Sequence, residues 1–313
     1  MNIKNLTNQS FLTEHKGKIT RTGVHIIVRI LMYSLLIGFA FVFLYPFLYM
    51  LITSLKSPSD LKDITVKWLV NDLYFENYSL AFSVLDYPKR LMNTVFIAVV
   101  SVIGHIISCS FIGYGFARYN FKFKKFWFAS MILAIIVPLQ TIIIPVYIVF
   151  SRIGWVGSYL PIIVPSFLGF GLRGALFIFL FRQFFLTLPV ALEEASAIDG
   201  CGAVGTYFKV ALPNALPSAL VCVVLGLVWH WNDIFEPSIF VDQQERFLLP
   251  RMLPQMYSLI NDYGARVPGD ITTLFNDAVA MAATTLVIAP LVIMYLILQG
   301  RFMQNFERSG ITG

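Results

Sequence analysis

Apolar side chains come in long runs along this 313-residue chain, separated by shorter polar stretches. A run of about 20 apolar residues is what an α-helix needs to cross a hydrocarbon core roughly 30 Å thick. Six such runs occur, at about 26–54, 91–116, 126–150, 159–182, 216–240 and 274–299. The pattern predicts an all-α integral membrane protein with six transmembrane helices. The first run, Ile30 to about Ile52, is longer than the 7–15 or so apolar residues of a signal peptide. It continues as YPFLYMLITSLK without a small-residue cleavage site, so it reads as an anchor that stays.

Composition agrees with this pattern. The chain is 58% hydrophobic and 13% charged, against about 45–50% and roughly 25% for a soluble domain. Its net charge of +6 does not imply a nucleic-acid partner, because basic residues in a membrane protein gather on the cytoplasmic side. With six spans both termini face the same side. The N-terminal tail (1–29), the 117–125 loop, the 182–215 loop and the C-terminal tail (301–313) hold 13 lysines and arginines; the opposite loops hold nine. Both termini are therefore predicted to be cytoplasmic, flanking a membrane domain over 30–300. The loop at about 55–90 carries five acids and five bases with Trp68, Tyr74, Phe75 and Tyr78. It reads either as an extracellular cap on which a protein docks or as a loosely ordered connector. Cys109, Cys201 and Cys222 read as free thiols, and His15, His25, His105 and His230 show no metal spacing.

The polar stretch LEEASAIDGCGAVGTYFKVALP (192–213), between spans four and five, is the most informative. Thr187 is placed to cap a short helix with Pro189 in its first turn. Val190, Leu192, Ala195 and Ile198 give that helix an apolar stripe, Glu193 and Glu194 sit where the helix dipole favours anions, and Gly200 suits a left-handed stop. A second short helix, about 203–211, is expected to end before Pro213. Helices this short are marginal in water by themselves, so the loop calls for something to pack against.

Glu194-Ala195-Ser196, then Gly200 after three residues, then Val210-Ala211-Leu212-Pro213 after nine more, resembles the EAA motif of bacterial ABC importer permeases. Ser196 stands for the third residue of the motif and Val210 for an isoleucine. FLFRQFFLTLPVALEEASAIDG, WNDIFEPSIF and MYLILQGRFMQNFERSGITG, with FENYSLAF and LMNTVFIAV nearer the N-terminus, look like the maltose-type carbohydrate permeases. The resemblance implies that the 182–215 loop is a cytoplasmic coupling-helix loop, seated in a cleft of an ATP-binding cassette ATPase dimer. Glu193, Glu194, Ala195, Ser196, Asp199, Gly200, Leu212 and Pro213 would form the coupling set. Glu194, Ala195 and Gly200 would sit in the cleft, and Leu212 and Pro213 would pack the return to span five. It further implies a second homologous permease subunit, an extracellular solute-binding protein, a carbohydrate substrate, and residence in a bacterial cytoplasmic membrane. The tail FERSGITG would reach the ATPase interface. No G-x-x-x-x-G-K-[ST] occurs, so this chain is expected to bind no cofactor, with ATP and Mg²⁺ held by the partner ATPase.

Several polar residues fall inside the spans. GFGLRG (169–174) matches a dinucleotide-binding outline, but it lies in a membrane run and not between a strand and a helix. Its glycines instead loosen or break span four, which is tolerated where backbone lines a cavity. Arg173 lies ~13 Å along a helix from Arg182, and a central arginine costs at least about 2.5–3.5 kcal/mol on the insertion scale. Either an ion pair with Asp233, Glu236 or Asp277 offsets this, or contact with substrate hydroxyls does. Trp229, Asn232, Asp233 and Glu236 share one face if span five is a continuous helix. They read as a sugar-stacking site or as an interfacial belt with a kink at Pro237. Asn276 and Asp277, with Thr284, Thr285 and Pro290, are further candidates for the path in span six. The same acids suit a different machine, an ion-gradient-driven secondary transporter with Asp233, Glu236 and Asp277 as its relay. No internal inverted repeat supports it. A membrane enzyme fits least, for want of a nucleophile or metal motif.

Overall fold

The computed structural model describes residues 4–63, 65, 68–171, 173–266 and 277–310, with side chains described over 26–63, 65, 68–171, 173–263 and 277–300. Among these residues all regular structure is helical. The chain divides into two units, 1–74 and 75–313.

In the first unit, α1 (Lys4–Ser54) is long and apolar enough over Ile26–Ser54 to cross a membrane. Large apolar side chains are exposed all around it, Ile37, Phe43 and Leu36 among them. A helix apolar on every face is what lipid or a membrane-embedded partner accommodates. The chain then turns through α2 (Pro58–Lys62), whose first turn is capped by the Ser57 hydroxyl accepting from the Asp60 N–H at 3.2 Å. The buried Asp60 carboxylate ties the following segment back by accepting from Asn71 Nδ2 at 2.7 Å.

The second unit runs α3 (Glu76–Val84), α4 (Tyr87–Arg118), α5 (Lys124–Ile136), α6 (Leu139–Arg152), α7 (Leu160–Phe167), α8 (Gly174–Thr187), α9 (Val190–Ile198) and α10 (Ala203–Asn214). It continues through α11 (Leu216–Asn232), α12 (Phe235–Phe240) and α13 (Met256–Arg266) to α14 (Asp277–Gly310). Besides α1, α4 and Asp277–Gly300 of α14 are each long and apolar enough to span; bent helix pairs raise the number to as many as six.

Proline and glycine break what the apolar runs alone read as straight spans. The 126–150 run folds as α5 and α6, bent by 104°. Pro138 forces Val137 out of the helical region, to ψ 117°, and the helix stops there. The 159–182 run is interrupted between Phe167 and Gly174, where Gly169, Gly171 and Arg173 all take positive φ. The 216–240 run stops at Asn232, because Asp233 is extended with ψ 114°.

α4 is the hub of this unit, and glycine allows it to be. A Cβ on Gly113 would lie 2.8 Å from Phe181 Cβ and 3.0 Å from the Arg182 backbone nitrogen, so α8 packs backbone against backbone there. A Cβ on Gly104 would meet Ser166 and Phe167 of α7 at 2.7 Å. Small residues at such crossings are how membrane helices gain packing without a hydrophobic driving force between them. One core gathers Cys109, Tyr114, Phe177, Phe181, Phe185 and Tyr207 beneath α4, α8 and α10. A second joins Leu85, Trp231, Met256, Ile260 and Val287 from α3, α11, α13 and α14.

Candidate functional site

Two features stand out: the helical knob built by α9 and α10, and a cavity walled by the broken helices.

The knob starts abruptly. Pro189 holds Leu188 extended at ψ 133°, so α8 ends at Thr187 and α9 sets off at 76° to it. Thr187 does not cap α9, as its position in sequence suggested. Its hydroxyl donates backward to the Phe184 carbonyl at 2.7 Å, closing α8 instead. α9 stops as its glycine predicts. Gly200 sits at φ +80°, Gly200 N–H donates to Ala197 O and Cys201 N–H to Ser196 O, both at 3.0 Å. Those two bonds are the Schellman pattern, which satisfies carbonyls left over at a helix end.

α10 does not end before Pro213 but passes through it to Asn214. A proline ring clashes with the carbonyl four residues back. The chain opens into one wide turn over Tyr207–Ala211, in which Leu212 N–H reaches back to Tyr207 O, and so accommodates the ring. α9 and α10 are joined by the Ser196 and Thr206 hydroxyls, 3.0 Å apart and both buried.

The coupling residues divide into two groups. Glu193 turns inward: its carboxylate pairs with Arg118 Nε at 2.6 Å, and Arg118 Nη2 also donates to Leu188 O at 2.7 Å. Ser196 is buried inside the knob and Leu212 is half-buried at its return. Glu194, Ala195, Asp199, Gly200 and Pro213 are exposed. Beside them the apolar Val190, Leu192, Val204 and Phe208 are also exposed, and Ile198 is 87% exposed. The apolar face predicted for α9 therefore points away from the chain's own described core.

The cavity holds about 760 Å³ and is walled by α5, α6, the break before α8 and the segment after α11. Arg173, Asp233 and Glu236 all line it, beside Gln140. The first two are placed by breaks. Arg173 takes φ +64° at the start of α8, a conformation costing an L-residue about 1–2 kcal/mol. Asp233 is extended, and its Oδ1 accepts from the Phe235 N–H at 3.0 Å and more weakly from Glu236 N–H, starting α12.

Among the described residues no ion pair joins Arg173 to Asp233, Glu236 or Asp277. The guanidinium lies instead over the Trp229 ring, 5.5 Å from its centroid, and Trp229 packs against Phe177. Glu236 is buried, and its Oε1 has no hydrogen-bond partner among the described residues. A buried polar oxygen left unpaired is costly, so this carboxylate invites a donor from the cavity.

The shared helical face expected for Trp229, Asn232, Asp233 and Glu236 does not form, because the helix stops between Asn232 and Asp233. Asn232 is exposed and bonds back to Val228 O at 2.9 Å. Asp277 opens α14 and accepts from Tyr257 OH at 2.9 Å, away from the cavity wall. Asn276 lies outside the described residues.

Sequence reasoning missed two long-range pairings. Arg118 counted only as a charge at the end of a span. His105 and His230, with no common spacing, meet in the buried α4–α11 contact with ring nitrogens 3.5 Å apart.

Comparison with known proteins places these features in context. Residues 109–308 match the sequence model of a family described as the binding-protein-dependent transport system inner membrane component. The arabinooligosaccharides transport system permease protein AraQ of Halalkalibacterium halodurans is 27% identical over 91% of this chain and 98% of its own length. The probable starch degradation products transport system permease protein AmyC of Thermoanaerobacterium thermosulfurigenes is 28% identical, covering 82% and 88%. Among solved structures, a bacterial ABC transporter involved in the import of the acidic polysaccharide alginate contains a chain that superposes with a TM-score of 0.75. That match covers 88% of this chain and 96% of the other at 22% identity, and so speaks to the fold.

Proposed function

The chain belongs to the family of binding-protein-dependent transport system inner membrane components, and from that premise we propose that it forms half of the pathway by which an ATP-driven importer moves a carbohydrate into a bacterial cytoplasm. ATP and Mg²⁺ are held by a separate ATPase dimer, a second related permease completes the pathway, and an extracellular binding protein delivers the substrate. Both termini and the α9–α10 knob face the cytoplasm.

One observation carries the reading. The segment with EAA spacing folds as a closed helical knob whose apolar residues Ile198, Val204 and Phe208 are exposed. A short amphipathic helix of this kind is the shape that docks in a partner's groove. Glu194, Ala195, Asp199 and Gly200 enter the ATPase cleft, while Ser196 and Thr206 hold the two helices together. Leu212 and Pro213 lead back into the membrane. When ATP draws the two ATPases together, the knob moves with them, and the cavity opens alternately to either side.

The cargo reading rests on the relatives' names and on the cavity. Arg173, Asp233, Glu236 and Gln140 offer donors and acceptors from its wall, and Trp229 backs the Arg173 guanidinium. This mixture suits the hydroxyls of a carbohydrate, most simply a neutral oligosaccharide. The secondary-carrier reading would need the same acids to form a relay, but Asp277 does not line the cavity with Asp233 and Glu236 and accepts from Tyr257 instead.

The test is to purify the native assembly in lipid nanodiscs and measure ATP hydrolysis with its binding protein plus maltotriose or arabinotriose. Stimulation by either sugar, only with the binding protein present, is expected. An assembly without a co-purifying ATPase would overturn the proposal.

A further inference from the structure

The knob is connected to the membrane helices covalently through α8 and α11, yet both connections are bent. α8 meets α9 at 76° across an extended Leu188–Pro189 pair, and α10 meets α11 at 71°.

α4 meets the knob differently. Ser110, Tyr114 and Arg118 are spaced by four residues and so lie along one face of that helix, and each grips the knob or its entry. Ser110 Oγ and Tyr207 OH are 2.7 Å apart, and the Tyr114 ring packs on Tyr207 at 5.3 Å and on Phe185 at 5.2 Å. Arg118 holds Glu193 of α9 and the Leu188 carbonyl. The three contacts span ~12 Å of continuous helix.

The same stretch of α4 also grips the break in the cavity wall. Ser108 Oγ donates to Ser166 O at 2.7 Å, and Cys109 Sγ approaches Gly174 O at 3.5 Å. A Cβ on Gly169 would lie 2.6 Å from Ile112 Cδ1. Between Ser108 and Arg118, ~15 Å of one helix, α4 thus holds both the break that sets Arg173 in the cavity wall and the knob.

We propose that α4 is the output lever of the knob, with Arg118 as the positioning residue that locks α9 to it through Glu193. This rests on the coupling role proposed above. Movement of α9 is carried along α4 to the break before α8 and so to Arg173.

The test uses the full assembly with its co-purified ATPase in nanodiscs and needs no sugar. Gln140→Cys places a reporter thiol in the cavity wall, and its labelling by N-ethylmaleimide is resolved by peptide mass spectrometry, with and without ATP plus vanadate. Arg118→Glu and Arg118→Gln are each expected to retain bound ATPase and ATP hydrolysis. Each is expected to lose the nucleotide-driven change in labelling by about fivefold or more, the lower end of ordinary coupling. The charge-swapped double variant, Arg118→Glu with Glu193→Arg, is expected to regain it.

Retention of the full labelling change in both single variants overturns the proposal. So does loss of ATPase co-purification in step with it, since the pair would then serve docking alone. If the unmodified chain itself shows no nucleotide-driven change, it is the coupling reading beneath this one that fails.

Discussion

Gly200 separates backbone strain from docking. It sits at φ +80°, and a Cβ built there meets nothing within 4 Å. Gly200→Ala therefore adds no clash inside this chain and costs only the left-handed backbone, about 1–2 kcal/mol. At 1.4 kcal/mol per decade this is roughly 5–30-fold in any equilibrium that needs the native knob. Asparagine tolerates the left-handed region better than alanine, so on strain alone Gly200→Asn is the milder change. In a partner's cleft the order changes, because the asparagine amide projects into space that this chain leaves empty. Binding of purified ATPase subunits to the permease assembly in nanodiscs, followed by interferometry, reads the difference. The account predicts that Gly200→Ala weakens association about 5–30-fold and that Gly200→Asn weakens it at least as much. Near wild-type association for Gly200→Asn, with a deficit for Gly200→Ala, would refute docking at this tip.

Three further outcomes follow from the packing. Gly113→Ala places a methyl 2.8 Å from Phe181 Cβ and is expected to destabilise by about 1–3 kcal/mol. Gly115→Ala, with nothing within 4 Å, should be neutral or stabilising; equal thermal unfolding of the two in detergent would contradict the close α4–α8 approach. Ser196→Ala strands the buried Thr206 hydroxyl at about 1–3 kcal/mol. Faster amide exchange across α9 and α10, recovered in part by adding Thr206→Val, is the expected signature. Trp229→Leu removes the ring beneath the Arg173 guanidinium, a contact of about 0.5–2 kcal/mol. It should reduce sugar-stimulated ATP hydrolysis while leaving the basal rate, and an unchanged stimulated rate would remove Trp229 from the path.

The helical membrane architecture was legible because apolar run length is a direct consequence of bilayer thickness. The knob was legible because capping, a left-handed glycine and motif spacing are local properties. Its α9 stop was read correctly from Gly200, but the α10 stop was not, since a wide π turn lets the helix continue through Pro213. The shared face from Trp229 to Glu236 failed for a related reason. Periodicity assumes an unbroken helix, and Asp233 breaks it by bonding its own side chain to the next turn. The Arg118–Glu193 pair joins residues 75 apart, and the two histidines are 125 apart. No spacing rule connects such positions; only the crossing of α4 with its neighbours does.

The most direct measurement of the central claim is uptake of a radiolabelled oligosaccharide, maltotriose or arabinotriose, into proteoliposomes holding the whole assembly and its binding protein. The account predicts uptake that requires ATP inside the reconstituted system, stops with vanadate, and persists when proton and sodium gradients are collapsed. Uptake that proceeds without ATP and vanishes with the gradients would contradict it.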